Sequence, residues 1–269
     1  MKIITILFLL TNLAFAKVYY SKVEPYELRD ISSNVSGVVL FIDENSIGKK
    51  LSNKPYIKID SELDRDEFSF TTSKIMYLKE TVSLNEKMLE NLRASLDKKR
   101  ENYDQVKDLK IKSRIEKDRE FYDLITSENS YLSTQKEIVN LKTQIADLEL
   151  RKAQLARSIA DKTLQAPGLT LYSIDVKVGQ VVTLATPIAK VADTSKALLT
   201  IYLDEEDVKN AKNSVIYIDG EKTRYKIDRL LKIADSKNIS KYMAQIVIKA
   251  PDLFSRLAKV ELKDESGVK

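Results

Sequence analysis

Apolar residues recur in alternating steps of four and three along two long stretches of this chain. The first ladder runs Leu78, Val82, Asn85, Leu89, Leu92, Leu96, Lys99, Tyr103, Val106. The second runs Leu124, Ser127, Tyr131, Thr134, Ile138, Leu141, Ile145, Leu148, Lys152, Leu155, Ile159. Charges of both signs flank them, the pattern of a coiled-coil seam facing a partner helix. Between Pro55 and Pro167 there is no Gly and no Pro, so nothing in that stretch breaks a helix by backbone chemistry. The ladders fall out of register between Lys110 and Phe121, where polar and charged residues dominate. A chain reversal near Ser113 would fold the second ladder back on the first. Each arm would then be about 40 residues, or ~60 Å long. One continuous helix pairing with another chain is the alternative.

The segments on either side are β-like and resemble each other. Upstream come Val35 to Leu40, Ile47 to Leu51 and Pro55 to Asp60, and downstream come Ala166 to Leu171, Val178 to Val182 and Pro187 to Asp193. Gly37 and Gly48 are spaced as Gly168 and Gly179 are, and a Pro follows at nearly the same offset. Each unit reads as strand, glycine turn, strand, turn, strand. Neither could bury its apolar face alone, but together they could close a sandwich. An antiparallel hairpin returns its ends to one place, so it can replace a short connecting turn. After Asp193, strands are expected at Ala197 to Leu203, Ser214 to Ile218, Thr223 to Ile233, Tyr242 to Ile248 and Ala258 to Leu262. Asp204, Glu205, Glu206 and Asp207 suit a helix start, where the dipole is positive.

Composition narrows the chemistry. Among 269 residues there is no His, no Cys and no Trp. That removes the commonest general base, thiol nucleophiles and most zinc sites, so no catalytic residue, metal ligand or cofactor is assigned. The net charge of +5 comes from interspersed Lys and Glu, not from a basic block, which argues against a nucleic-acid partner. At the N-terminus, Lys2, an apolar run from Ile3 to Leu10 and Ala14-Phe15-Ala16 before Lys17 form a secretory signal peptide. Its apolar stretch is too short to span a bilayer.

The expected organisation is α+β and multidomain. It comprises a signal peptide (1–16), an N-terminal approach with the first half-motif (17–60), a coiled-coil α-hairpin (61–163), the second half-motif (164–195), a small antiparallel β-barrel (196–265) and a tail (266–269). This order resembles the membrane fusion protein family, the HlyD-type periplasmic adaptors. The most specific likeness is Thr163 to Gly168, Val178 to Val182 and Ile188 to Asp193, similar to that family's returning lipoyl half-motif.

The resemblance implies a split lipoyl-like sandwich, with Gly37, Gly48, Gly168 and Gly179 at its turns. It also implies a non-enzymatic bridging protein held peripherally at the inner membrane in the periplasm. Its partners would be a TolC-type outer-membrane channel at the hairpin tip and an inner-membrane transporter at the barrel. The efflux transporters of the resistance-nodulation-division (RND) class come first for that role, with ABC exporters as the other class. The protein would work as a homo-oligomer, commonly a hexamer. The family's Arg, Leu and Ser at the tip fall on Asn102, Val106 and Ser113, with Tyr103, Glu116 and Asp118 similar to common tip residues. Only Ser113 is identical, and Asn102 is a departure. Glu205, Glu206 and Asp207 would face the transporter. The family's membrane-proximal domain is expected to be absent or reduced to a strand pair, because the approach from Lys17 to Ser33 is short. Two other readings fit part of the pattern. One is an exported coiled-coil scaffold or chaperone. The other is a lipoyl or biotinyl carrier, for which Lys74 is the nearest modifiable lysine.

Overall fold

A computed structural model describes residues 17–234, 238 and 240–263. The signal peptide (1–16) and the tail (266–269) lie outside them. The chain falls into two compact units, one of residues 34–40 and 58–164, the other built from the segments before, between and after these.

The first unit is the hairpin. Helix α1 spans Glu62–Val106 and α2 spans Arg114–Asp161. The positions of both expected ladders are buried or half-buried, while their neighbours are largely exposed. The α1 ladder also continues upstream of Leu78 through Ile75, Thr71, Phe68 and Asp64. Ile75, Val82, Ile138, Leu141 and Ile145 form the seam's core, with Leu78, Leu89 and Leu148 packed on it. Each such side chain contributes ~1.5–3 kcal/mol by leaving water. Ion pairs and polar contacts across the seam diverge steadily in sequence. They run from Lys99 with Asp123, through Glu86 with Lys142, Lys79 with Glu149 and Glu67 with Arg151, to Asp64 with Ser158. Only antiparallel arms give that progression. At the open end the Ile59 N–H donates to the Lys162 carbonyl (2.8 Å) and Asn34 Nδ2 donates to Asp161 (2.7 Å). Entry and exit therefore adjoin, as an insertion into a turn requires.

The second unit is built on strands. They are β1 (Val18–Ser32), β2 (Gly37–Ile42), β3 (Ile57–Ile59), β4 (Thr163–Leu164), β5 (Thr170–Ile174), β6 (Val181–Val182), β7 (Pro187–Leu203), β8 (Val215–Ile218), β9 (Glu221–Lys222), β10 (Arg229–Ala234), β11 (Tyr242–Lys249) and β12 (Leu257–Lys263). Of these, β4, β3 from Lys58 onward and the start of β2 lie in the hairpin unit. The main sheet has the order β10-β11-β7-β1-β12-β8-β9, with β5 also paired to β7. Among the described residues this order is open. Along β7, Ala197, Leu199, Ile201 and Leu203 are all buried, the two-residue period of a strand with one face on the core. They meet Val23, Ile216, Ala244, Ile246, Ala258 and Val260.

Three features depart from the sequence reading. The approach from Lys17 to Ser33 is a strand of 15 residues at the middle of the sheet. It pairs with β12 over Val18 to Lys22 and with β7 over Val23 to Ser32. The strands expected at 187–193 and 197–203 are one continuous β7. The intervening Asp193-Thr194-Ser195 carries no Gly or Pro to end the ladder. Conversely, the strand expected over Thr223 to Ile233 begins only at Arg229. The Asp228 carboxylate there accepts from the Val247 N–H (2.7 Å), where a backbone carbonyl would accept in a regular ladder.

The two glycine-spaced units meet where 47–51 runs beside 168–171. The Gly48 N–H donates to the Leu171 carbonyl (2.8 Å), and the Gly168 N–H donates to the Leu51 carbonyl (3.0 Å).

Candidate functional site: the hairpin tip and the acidic helix start

The tip is the turn between α1 and α2. α1 ends as the Lys107 N–H donates to the Tyr103 carbonyl (2.9 Å) and the Leu109 N–H to that of Val106 (3.2 Å). α2 starts with a reciprocal cap. The Ser113 hydroxyl accepts from the Glu116 N–H (3.3 Å), and the Glu116 carboxylate accepts from the Ser113 N–H (2.9 Å). Such a box satisfies two backbone donors that a helix start leaves open. The Ser113 N–H, then Lys112 (3.1 Å) and the Ser113 hydroxyl, hold the Glu116 carboxyl at about 2, against an ordinary value of 4.5.

This geometry sorts the tip residues named from the sequence. Ser113 and Glu116 are exposed but bonded to each other. Asn102, Tyr103 and Val106 are half-buried along the seam. The Tyr103 ring lies 5.6 Å from that of Phe121, tilted by 51°, a geometry aromatic quadrupoles favour. The side chains most open to a partner were missed. Ile111 is 89% and Ile115 81% exposed, with Leu109 beside them in sequence at 41%. Three exposed apolar residues at one turn form a small patch of the kind that marks a contact surface. Their signal was present, since apolar residues in a turn have no core to serve, but the surrounding charges masked it. Beneath this patch the seam turns polar. Glu120 stands in the ladder with its Oε2 buried and unpartnered, so the last turns are held less firmly than the middle.

The other candidate cluster begins at α3, Glu205–Asn210, whose first turn holds Glu205, Glu206 and Asp207. Glu205 and Glu206 are exposed. The Asp207 carboxylate is taken up within the fold, accepting from the Tyr19 hydroxyl and lying 3.2 Å from Lys17 Nζ. Asp204 pairs with Lys17 (3.3 Å) and with Lys241. Burial, with the hydrogen bond to Asp207 second, pushes the Tyr19 phenol well above its ordinary value. Lys17 and Tyr19 were missed because the acids were read alone, without β1 beside them.

Gly48, Gly168 and Gly179 have positive φ of 78°, 85° and 84°, a region that L side chains adopt only with strain. Gly37 has another reason. A Cβ there would stand 2.7 Å from Ile59 Cγ2, so β2 needs glycine for close approach, not for a turn. Lys74 lies inside α1, not at an exposed turn between half-motifs.

Among the described residues, no group of three or more metal-ligating side chains comes together. No helix among them is long and apolar enough to cross a membrane.

A β body whose chain is interrupted by a two-helix coiled coil recurs in solved structures, a membrane fusion protein among them. The chain is similar to MacA from Actinobacillus actinomycetemcomitans, at 17% identity and a TM-score of 0.70, over 92% of this chain and 78% of that one. It is also similar to the membrane fusion protein Spr0693 from Streptococcus pneumoniae R6, at 12% identity and a TM-score of 0.58, over 93% and 100%. A third likeness is to a MacA–MexA chimera containing the Pseudomonas aeruginosa MexA α-hairpin domain, at 16% identity and a TM-score of 0.50, over 92% and 80%. No family model and no curated protein matches the sequence. At these identities the likeness establishes the fold.

Proposed function

We propose that this chain is a periplasmic adaptor of the membrane fusion protein family. In this reading it is exported by its signal peptide and is not an enzyme. It assembles as a homo-oligomer, a hexamer by family resemblance, joining an inner-membrane transporter to an outer-membrane channel. The transporter is of the RND class, or an ABC exporter as the alternative. The channel is TolC-type, met by the hairpin tip. Glu205 and Glu206 face the transporter, while Asp207 braces α3 on β1.

The observation that carries this reading is the hairpin itself. Its arms of 45 and 48 residues make a strut of roughly 70 Å, stiffened by a continuous seam and inserted into a β body with the fold of MacA. A spacer of that reach needs rigidity that a flexible linker lacks. At the tip, the exposed Ile111 and Ile115 offer the apolar contact, and the capping box fixes the turn that presents them.

Photo-crosslinking in living cells tests this. Probes at Ile115 and at Glu206 should recover two different envelope proteins, an outer-membrane channel and an inner-membrane transporter. If both probes recover the same partner, or neither recovers a transport component, the bridging role is wrong.

A further inference from the structure

The outward face of the main sheet holds a groove that neither the hairpin tip nor α3 uses. Along β7 and β11 the core takes Leu199, Ile246 and Ile248, so Leu198, Gln245, Val247 and Lys249 point the other way. Strand pairing sets Leu198 opposite Val247 and Arg229 opposite Gln245. Leu198 and Val247 form an apolar floor in a cavity of about 500 Å³, a size that suits a small organic ligand. Both rims depart from a regular ladder. On one side β1 shifts register between Pro25 and Glu27, and this irregularity puts Tyr26, 44% exposed, at the groove's edge. On the other side β10 starts late, with the Asp228 carboxylate standing in for a backbone acceptor toward the Val247 N–H (2.7 Å). Such breaks in a ladder commonly re-aim side chains beside functional sites.

The charges around this floor do not cancel. On the Tyr26 rim the Glu27 carboxylate is taken by Arg29 (2.6 Å), which holds it below its ordinary value. On the other rim the Asp228 carboxylate is taken by the backbone. The Arg229 guanidinium beside it has a 3.3 Å bond to the Gln245 side-chain carbonyl, and no ion pair among the described residues uses it. Further along the same face, Lys196 stands directly opposite Lys249. Like charges across a ladder cost stability, yet neither lysine joins an ion pair among the described residues. Lys196 instead lies over the Tyr26 ring, 5.8 Å from its centre. Three cations thus border an apolar floor whose acids are already engaged.

We propose that this groove binds a small amphipathic carboxylate, an organic anion with an aliphatic or aromatic body. Arg229 takes the carboxylate through its planar fork. The Gln245 carbonyl is turned to Arg229, so its amide nitrogen offers a donor beside it. The body of the ligand lies on Leu198 and Val247 and against the Tyr26 ring. Lys196 and Lys249 supply the positive potential that draws an anion to this face and disfavours a cation. Asp228 works against the bound charge and moderates the affinity. The groove gives the β body a ligand-binding function that does not depend on the adaptor reading.

Isothermal titration of the full chain, purified from the cells that export it, tests this with octanoate, octylammonium and inorganic sulfate as probes. Octanoate should bind saturably at one site per chain, and the other two should not. Arg229→Gln should weaken octanoate by about tenfold or more, and Leu198→Thr should weaken it to a smaller extent. Asp228→Asn keeps an oxygen for the Val247 N–H but removes the charge, so it should tighten octanoate, a gain that a purely structural Asp228 would not produce. Circular dichroism confirms the fold of each variant. Absence of saturable octanoate binding overturns the proposal. So does equal binding of octylammonium, which means an apolar surface without an anion site, and equal binding of sulfate, which means a bare cation cluster. Unchanged octanoate affinity in folded Arg229→Gln places the anion elsewhere and also overturns it.

Discussion

Leu141 in the hairpin and Leu199 in the β body are both buried, yet they reach their cores by different routes. Leu141 shares its cluster with Ile138 and Ile145 on its own helix and with Ile75 and Val82 across the seam. Leu199 sits in β7 between Val23 of β1 and Ile246 of β11, partners far away in the chain. The hairpin is thus specified by a period visible in any short window, and the β body by pairings that no window contains. This difference predicts how each region fails.

The largest effect should come from Leu92→Pro. A proline mid-helix removes a backbone bond and clashes with the preceding turn, costing about 3 kcal/mol or more. The helical circular-dichroism signal should fall sharply and export should stop, while protease-resistant β fragments persist. Loss of the β fragments as well would show that the two regions do not fold separately.

Leu141→Ala and Leu199→Ala should each cost ~2–5 kcal/mol, as large-to-small changes in packed cores do. Denaturant titrations followed by helical signal and by amide exchange in β7 should assign the first loss to the hairpin and the second to the sheet. Equal displacement of both signals by either change would remove the distinction.

Smaller again, Gly48→Ala should cost about 1–2 kcal/mol because its φ is positive. Gly37→Ala should destabilise through the Ile59 contact instead. Trimming Ile59 to Val with its Cγ2 retained should leave that cost in place, whereas Ile59→Ala should relieve it.

The smallest effect belongs to the tip. Ser113→Ala should cost ~1 kcal/mol by opening the cap, read as faster amide exchange over the first turn of α2. The capping carboxylate adds a pH signature. Glu116 has a folded value of about 2 against an ordinary 4.5, so its contribution is present in full above 4.5 and is lost as pH falls toward 2. The protection factor at the start of α2, exchange corrected for its intrinsic pH dependence, should fall as pH drops across that window and stay flat above it. A flat profile would mean that the box does not hold the turn.

How much could be read from sequence follows the same division. Both ladders were legible residue by residue because a seam repeats locally, and the paired glycines were legible because spacing survives without contacts. The 15-residue β1 was not. Its alternation through Val18-Tyr19-Tyr20-Ser21 is short, and its partners β7 and β12 come far later in the chain. The unity of β7 was hidden by Asp193-Thr194-Ser195, which looks like a turn but continues the ladder. At the tip, Ser113 was legible as a residue at a reversal but not as half of a capping box, which needs the backbone geometry of Glu116. The binding of Asp207 to Tyr19 and Lys17 required β1 and so was lost with it.

In the proposed role the hairpin is a strut of fixed length between two partners. Deleting residues 85–91 together with 132–138 removes one heptad from each arm at matching heights, keeping the seam in register and shortening the strut by about 10 Å. The account predicts a folded, helical chain that no longer supports export. Full export by this shortened chain would contradict it.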